Sequence, residues 1–337
     1  MSSPPHRPLR ILHVGQDDLF AGVEGVQRRF VPTGHSITPA SSGRKPLSPD
    51  SLRRLLTGLG TGARYEAIVL PVVQFDWPHD RSQFKRGLRR IAAGVMRQPA
   101  LSHRLSRWLR RRAEVVVALD RFDAPDVDES YIKAAPALSV YFKANLRTAD
   151  ENRRIGACRL AFLPYWIAAD RYPDPAATCQ EKDVDVLFVG AVNSPERVEC
   201  RRVLASLSES VRVAAPEERL SFEEYCRLTA RAWLTISPQG YGYNGFRHYE
   251  AMLLGSIPVV NRPDPPVVHD FVDGRNCLLY EPGRLRERIE AALANRRGVE
   301  AGLDDLRQFA LARHSVPAVG AYLTAEIRRQ LSGATCS

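Results

Sequence analysis

Arg247 and Glu250 lie three residues apart behind a run of glycines and aromatics, Gly240, Tyr241, Gly242, Tyr243, Asn244, Gly245 and Phe246, in a stretch that reads WLTISPQGYGYNGFRHYEAMLLGSIPVVNR from Trp233 to Arg262. A guanidinium binds phosphate oxygens through charge-assisted hydrogen bonds, and a carboxylate on the same helix face can accept from sugar hydroxyls. A diphosphate next to a ribose suits both. The same two side chains could instead pair with each other across one helical turn. Two aspartates are candidates for proton transfer: Asp120, which closes the apolar run Val115 to Leu119, and Asp17, which follows the run Arg10 to Val14. Each stands where a buried strand opens into a loop. His13 lies inside its strand and reads as a core histidine, while Asp18 and Asp123 read as loop or capping residues.

The stretch around Arg247 changes character in the order strand, loop, helix, strand. Its glycines are expected to take positive φ and to let the backbone approach a ligand closely. The helix is expected to begin at Gly245 or Phe246, with unpaired N–H groups and the positive end of a dipole in its first turn. Along the rest of the chain, apolar runs at 10–14, 67–73, 115–119, 138–142 and 184–189 alternate with helix-like segments. Helices are expected at 22–31, from a cap at Ser48 or Asp50 to Leu59, over Phe84 to Val95 and Leu101 to Leu109, and later at 282–295, 299–313 and 317–331. Asp174 to Lys182, polar with two prolines, reads as a linker. Two alternating halves imply an α/β chain of two Rossmann-like domains with parallel sheets facing a central cleft. The expected bounds are 8–172 for the first domain, 183–316 for the second and 317–331 for a terminal helix that packs back on the first.

At 337 residues, 44% apolar and 26% charged, the chain can bury two cores. It contains no run of eighteen apolar residues, and the polar, Pro-rich MSSPPHRP lacks a signal core, so a cytoplasmic address is expected. The six cysteines are scattered without C-x-x-C spacing, so free thiols and no metal are expected. No G-x-G-x-x-G follows Gly15, and no P-loop motif is present, which disfavours a dinucleotide oxidoreductase and a P-loop kinase. The net charge of +10 is concentrated in Arg81 to Arg112, which holds eleven basic residues and no acid. That stretch suits an anionic partner: a polyanionic acceptor, nucleic acid or the inner face of a membrane met peripherally. A solvated Arg-rich face is the plainer alternative.

The stretch from Ser237 resembles the donor-binding segment of the GT-B glycosyltransferases, most of all the exostosin-type and related bacterial enzymes. Ser237, Pro238, Gly240, Arg247, Glu250, Ala251, Gly255, Ile257, Pro258, Val259 and Val260 carry the likeness. It implies that Arg247 meets a nucleotide diphosphate and Glu250 its ribose. It further implies that Gly190, Asn193 and Arg197, after the strand at 184–189, face the donor with Tyr241 to Phe246. The large retaining GT-B family carries a second glutamate eight positions before the first, where this chain has Gly242, so the resemblance points to inversion. Asp126 and Asp128 fall at a helix start, where acids are expected, rather than in a metal-binding D-x-D. The implied activity is metal-independent glycosyl transfer from a nucleotide sugar, without a further cofactor. An anionic-polymer binding protein on a degenerate scaffold and a nucleotide-sugar 2-epimerase are the alternatives.

Overall fold

A computed structural model describes residues 7–15, 17–32, 63–72, 108–175, 181–207 and 209–333. The helices expected between Ser48 and Leu59 and between Phe84 and Arg107, and with them most of the basic stretch, lie outside the described residues. So does Gln16.

The first sheet holds seven strands: β1 (Leu9–Gly15), β2 (Val26–Pro32), β3 (Tyr65–Pro71), β4 (Ala113–Asp120), β5 (Val140–Lys143), β6 (Arg154–Ile155) and β7 (Cys158–Phe162). Their order is β2-β1-β3-β4-β5-β7-β6, parallel throughout except for the β6–β7 pair. Near-continuous apolar runs such as VVVAL in β4 suit strands covered on both faces. A short helix, α1 (Glu129–Ala134), is capped by Asp128, whose carboxylate accepts from the Tyr131 N–H.

The second sheet is wholly parallel, β8 (Val184–Leu187), β9 (Val213–Ala214), β10 (Ala232–Ile236), β11 (Ile257–Asn261) and β12 (Leu278–Tyr280), in the order β12-β11-β10-β8-β9. Around it run α2 (Pro195–Ala205), α3 (Phe222–Arg231), α4 (Phe246–Leu253), α5 (Leu285–Ala294), α6 (Arg296–Gly302) and α7 (Leu306–His314). The chain leaves β8 toward one edge of the sheet and β10 toward the other. The crevice of a doubly wound sheet forms at such a reversal, outside the carboxyl ends of the two strands.

Two sequence expectations are corrected. The helix expected at 22–31 is the edge strand β2, because Gly22 and Gly25 both sit at positive φ and break a helical start, while Val26, Phe30 and Val31 favour an extended chain. The helix expected at 299–313 is divided, since Leu303 is extended and Asp305 caps a new helix by accepting from the Gln308 N–H.

The last helix, α8 (Val316–Leu331), lies on the first sheet. Val319, Leu323 and Ile327 join Leu9, Ile11, Val117 and Phe142 in one core. Gly320 lies so close to the Leu19 carbonyl that a Cβ there would overlap it, and Tyr322 donates to the Phe162 carbonyl. Arg159 bonds Glu326 at 2.5 Å with both side chains largely shielded from water. At the crossing between the sheets, the His314 ring stacks on Tyr249 and bridges the Tyr165 carbonyl and Asp270, at 2.8 Å each. No helix among the described residues is long and apolar enough to cross a membrane.

Candidate active site

The loops after β8 and β10 lie at the carboxyl ends of neighbouring strands, and their side chains meet over the start of α4. Gly245 is the N-cap of that helix and offers no side-chain cap, so the first-turn N–H groups stay available to a ligand. The Arg247 guanidinium lies against Gly190, where a Cβ would come within 3.0 Å of its Cζ. Arg197, in the first turn of α2, lies in the same way against Gly240, with a Cβ position 2.8 Å from one of its terminal nitrogens. Arg197 also donates to Asn193 Oδ1 at 3.0 Å and to the Ala191 carbonyl at 3.1 Å. Burial, followed by repulsion from Arg247, holds its pKa down to about 10. Two cations that repel each other at a helix start are stabilised by an anion between them.

The glycines of this loop therefore act by size rather than by φ, which corrects the expectation of positive φ. None of Gly240, Gly242 and Gly245 has positive φ, and Gly245 is extended at −147°. Positive φ is needed instead at Gly255, past the end of α4, at +74°.

Glu250 does not depend on Arg247 for its partners. Its two carboxylate oxygens accept from Tyr172 at 2.6 Å and from Tyr225 at 2.7 Å. The carboxylate is thus held in place by two phenols, one turn into the helix. The remaining loop residues divide. Tyr241 is 75% exposed. Ser237 is buried and joins β11 through its N–H, Tyr243 is packed among His248, His269 and Phe271, and Phe246 stands edge-on to Tyr165 of the first half. Asn244 turns into the first domain, where its side chain donates to the Ala144 carbonyl at 2.8 Å.

The two aspartates have opposite surroundings. Asp120 is 0% exposed, and it accepts from Tyr141 at 2.5 Å, from the Phe122 N–H at 2.8 Å and from Lys143 at 3.2 Å. An acceptor hydroxyl has no path to such a carboxylate, so its place at a strand end does not make Asp120 accessible. Asp17 is 44% exposed on its side chain, with Oδ2 held at 2.8 Å by the Trp166 indole N–H. Arg121 lies flat on the Trp166 ring at 3.8 Å, 3.7 Å from Asp17 and 5.9 Å from the Phe246 ring at the start of α4. Asp17 is therefore one guanidinium away from the start of α4. Asp18 is engaged with Arg28 at 2.6 Å.

Tyr172, Tyr225, Arg121 and Asn145 escaped the sequence reading because each meets the site only through the fold. A capping signal was readable at Ser194, whose hydroxyl accepts from the Arg197 N–H and donates to the Gln239 carbonyl at 2.9 Å.

The whole arrangement aligns with a crystal structure of a glycosyltransferase from Rickettsia africae ESF-5 over 98% of this chain and 100% of that one, at a TM-score of 0.54 and 9% identity. The fold is GT-B. Within it, residues 198–277 match the family model of the RXYLT1 C-terminal domain, a span that takes in the loop after β10, Arg247 and Glu250. Other solved structures that the chain resembles include Anabaena HepE in complex with UDP and glucose, at 13% identity and a TM-score of 0.46 over 95% of this chain and 99% of that one. Sucrose-phosphate synthase from Thermosynechococcus elongatus matches at 14% identity and a TM-score of 0.46 over 97% and 100%. No curated protein matches the chain in sequence.

Two histidines of this GT-B chain make its stability depend on pH. Burial lowers His13 to about 3 and His248, beneath the arginines, to about 4. Their folded values lie below the unfolded one near 6.5, so the unfolded chain takes up protons first as pH falls. Their contribution is complete above pH 6.5 and declines toward pH 4, by about 1.4 kcal/mol per pH unit for each histidine. Melting temperatures at pH 7 and pH 5 should show this loss, and His13→Leu and His248→Gln should each flatten it. An unchanged difference in both variants would place the acid sensitivity elsewhere.

Proposed function

We propose that this chain transfers a sugar from a nucleoside-diphosphate sugar to an acceptor hydroxyl. The observation that carries the reading is that Arg247, in the first turn of α4, lies against Gly190 while Arg197 lies against Gly240, at a helix that starts without a side-chain cap and carries the Glu250 carboxylate one turn further along. Cations and helix N–H groups stabilise a departing diphosphate, and a carboxylate aligned with them suits the ribose. Asp17 is the acceptor-side base in this reading, fixed through one oxygen and open to solvent. Inversion is supported by Gly242, where the retaining pattern has a glutamate and where a Cβ would lie 2.7 Å from Asn145 and 2.8 Å from the Asp123 carbonyl. The two arginines supply the charge that a metal ion supplies in other transferases, so the proposed reaction is metal-independent.

Calorimetric titration with UDP, GDP and dTDP, followed by measurement of nucleotide release from the matching sugar donors, tests the reading. Binding of at least one diphosphate, release that persists in excess EDTA and an inverted anomeric product are expected. No binding of any of the three would overturn the donor site. EDTA-sensitive turnover would overturn metal independence alone.

A further inference from the structure

The donor loop belongs to the second sheet by sequence but takes its shape from the first. Asn145 follows β5, and its Oδ1 accepts the Asn244 N–H at 2.8 Å across a sequence separation of 99 residues. The Asn244 side chain donates to the Ala144 carbonyl at 2.8 Å and accepts from Tyr249 of α4 at 3.3 Å. The two asparagines are 1% and 3% exposed, so neither exchanges these bonds for water without opening the interface. Next to them, Gly242 is pressed against the first domain. A Cβ there would stand 2.7 Å from Asn145 Nδ2, 2.8 Å from the Asp123 carbonyl oxygen and 2.9 Å from the Asp123 Cα.

Beneath this contact is a polar cluster that the chemistry leaves unused. Lys143 donates to the Phe122 carbonyl at 2.8 Å and pairs with Asp120, while Asp120 accepts from the Phe122 N–H and from Tyr141. Both backbone groups of Phe122 are thereby held, and Asn145 Nδ2 reaches the same carbonyl at 3.5 Å. Residues 121–123, which present Arg121 to the cleft and the Asp123 carbonyl to Gly242, are anchored from below. Buried networks with satisfied members fix one geometry, because every alternative leaves a polar group unpaired.

We propose that Asn145 is a positioning residue for the donor site: through Asn244 it holds the Gly240 to Gly245 loop in the form that places Arg197 and Arg247 around a diphosphate. The inference rests on the donor reading above and adds that the affinity of the second domain for its nucleotide depends on the first. Asn145 touches no ligand in this scheme. Loss of its side chain frees the loop, and the diphosphate must then order it on binding, which weakens association.

The test uses the full chain with UDP, GDP and dTDP as probes and hydrogen exchange of the loop without any nucleotide. Asn145→Ala should bind the preferred diphosphate roughly tenfold more weakly, the loss expected for one buried hydrogen bond. Asn145→Ser keeps a neutral hydroxyl that can accept from Asn244 without burying a charge beside the Phe122 carbonyl, and it should recover part of that affinity. In the nucleotide-free protein, Asn145→Ala should speed exchange at 240–245 while the strands of both sheets stay protected. A merely structural role would spread the faster exchange over β5 and show no recovery in Asn145→Ser. If Asn145→Ala does not fold, Gly242→Ala probes the same contact, since its Cβ would push the loop off the Asp123 backbone. Wild-type exchange at 240–245 in the folded variant would overturn the proposal. If the wild type binds none of the three diphosphates, the donor reading fails, while the exchange measurement still decides the coupling.

Discussion

Arg197→Ala combined with Arg247→Ala is expected to lower affinity for the nucleoside diphosphate by at least about a hundredfold, since a charge-assisted hydrogen bond contributes on the order of 1.5–3 kcal/mol and each 1.4 kcal/mol is a factor of ten. Each single variant should lose about tenfold or more, and the two losses should show coupling in a double-mutant cycle, because both guanidiniums meet one ligand. Stability should move in the opposite direction. The Arg197 pKa is held down by burial and then by the charge of Arg247, so removing Arg247 relieves that repulsion. Arg247→Ala should therefore melt no lower than the wild type while binding more weakly. A cation kept only for packing would lower the melting temperature and leave affinity alone. Calorimetric titration with a thermal melt of each variant separates the two, and wild-type-like affinity in the double variant would remove the basis for the enzyme reading.

Asp17→Asn should lower turnover by about a hundredfold or more with diphosphate affinity unchanged, because the amide keeps the volume and the Trp166 bond but cannot take a proton. The informative control is Asp120→Asn. Asp120 pairs with Lys143 in the interior, where burial already pushes the Lys143 pKa down. Removing one partner of such a pair destabilises by about 3–5 kcal/mol. The expected result is a large fall in melting temperature and near-normal turnover per folded molecule. Steady-state rates on the folded fraction of both variants decide the matter. Full activity in Asp17→Asn with lost activity in folded Asp120→Asn would return the base to Asp120.

Local signals in the sequence determined the buried central strands and the position of α4, though not the edge strand β2. Runs such as VVVAL, VLFV and IPVV are apolar over their whole length, and a segment buried on both faces needs no distant residue to specify its extended form. Gly245 before Phe246, and Arg247 three residues before Glu250, likewise gave the helix start and one shared face from spacing alone. Tertiary structure decided whatever depends on residues far apart in the chain. Asp17 and Asp120 look alike in sequence, each following an apolar run. What separates them is that β5 brings Tyr141 and Lys143 onto Asp120, whereas Asp17 meets Trp166, 149 residues away. Gly240 and Gly242 were readable as necessary glycines, but the Arg197 guanidinium and the Asp123 backbone that exclude a side chain there come from other elements. Glu250 shows the same division, with its helix position fixed locally and its partners Tyr172 and Tyr225 supplied from 78 and 25 residues away. A backbone conformation is set largely by nearest neighbours, but the accessibility and partners of a charge are set by packing, and packing brings together residues that sequence spacing does not relate.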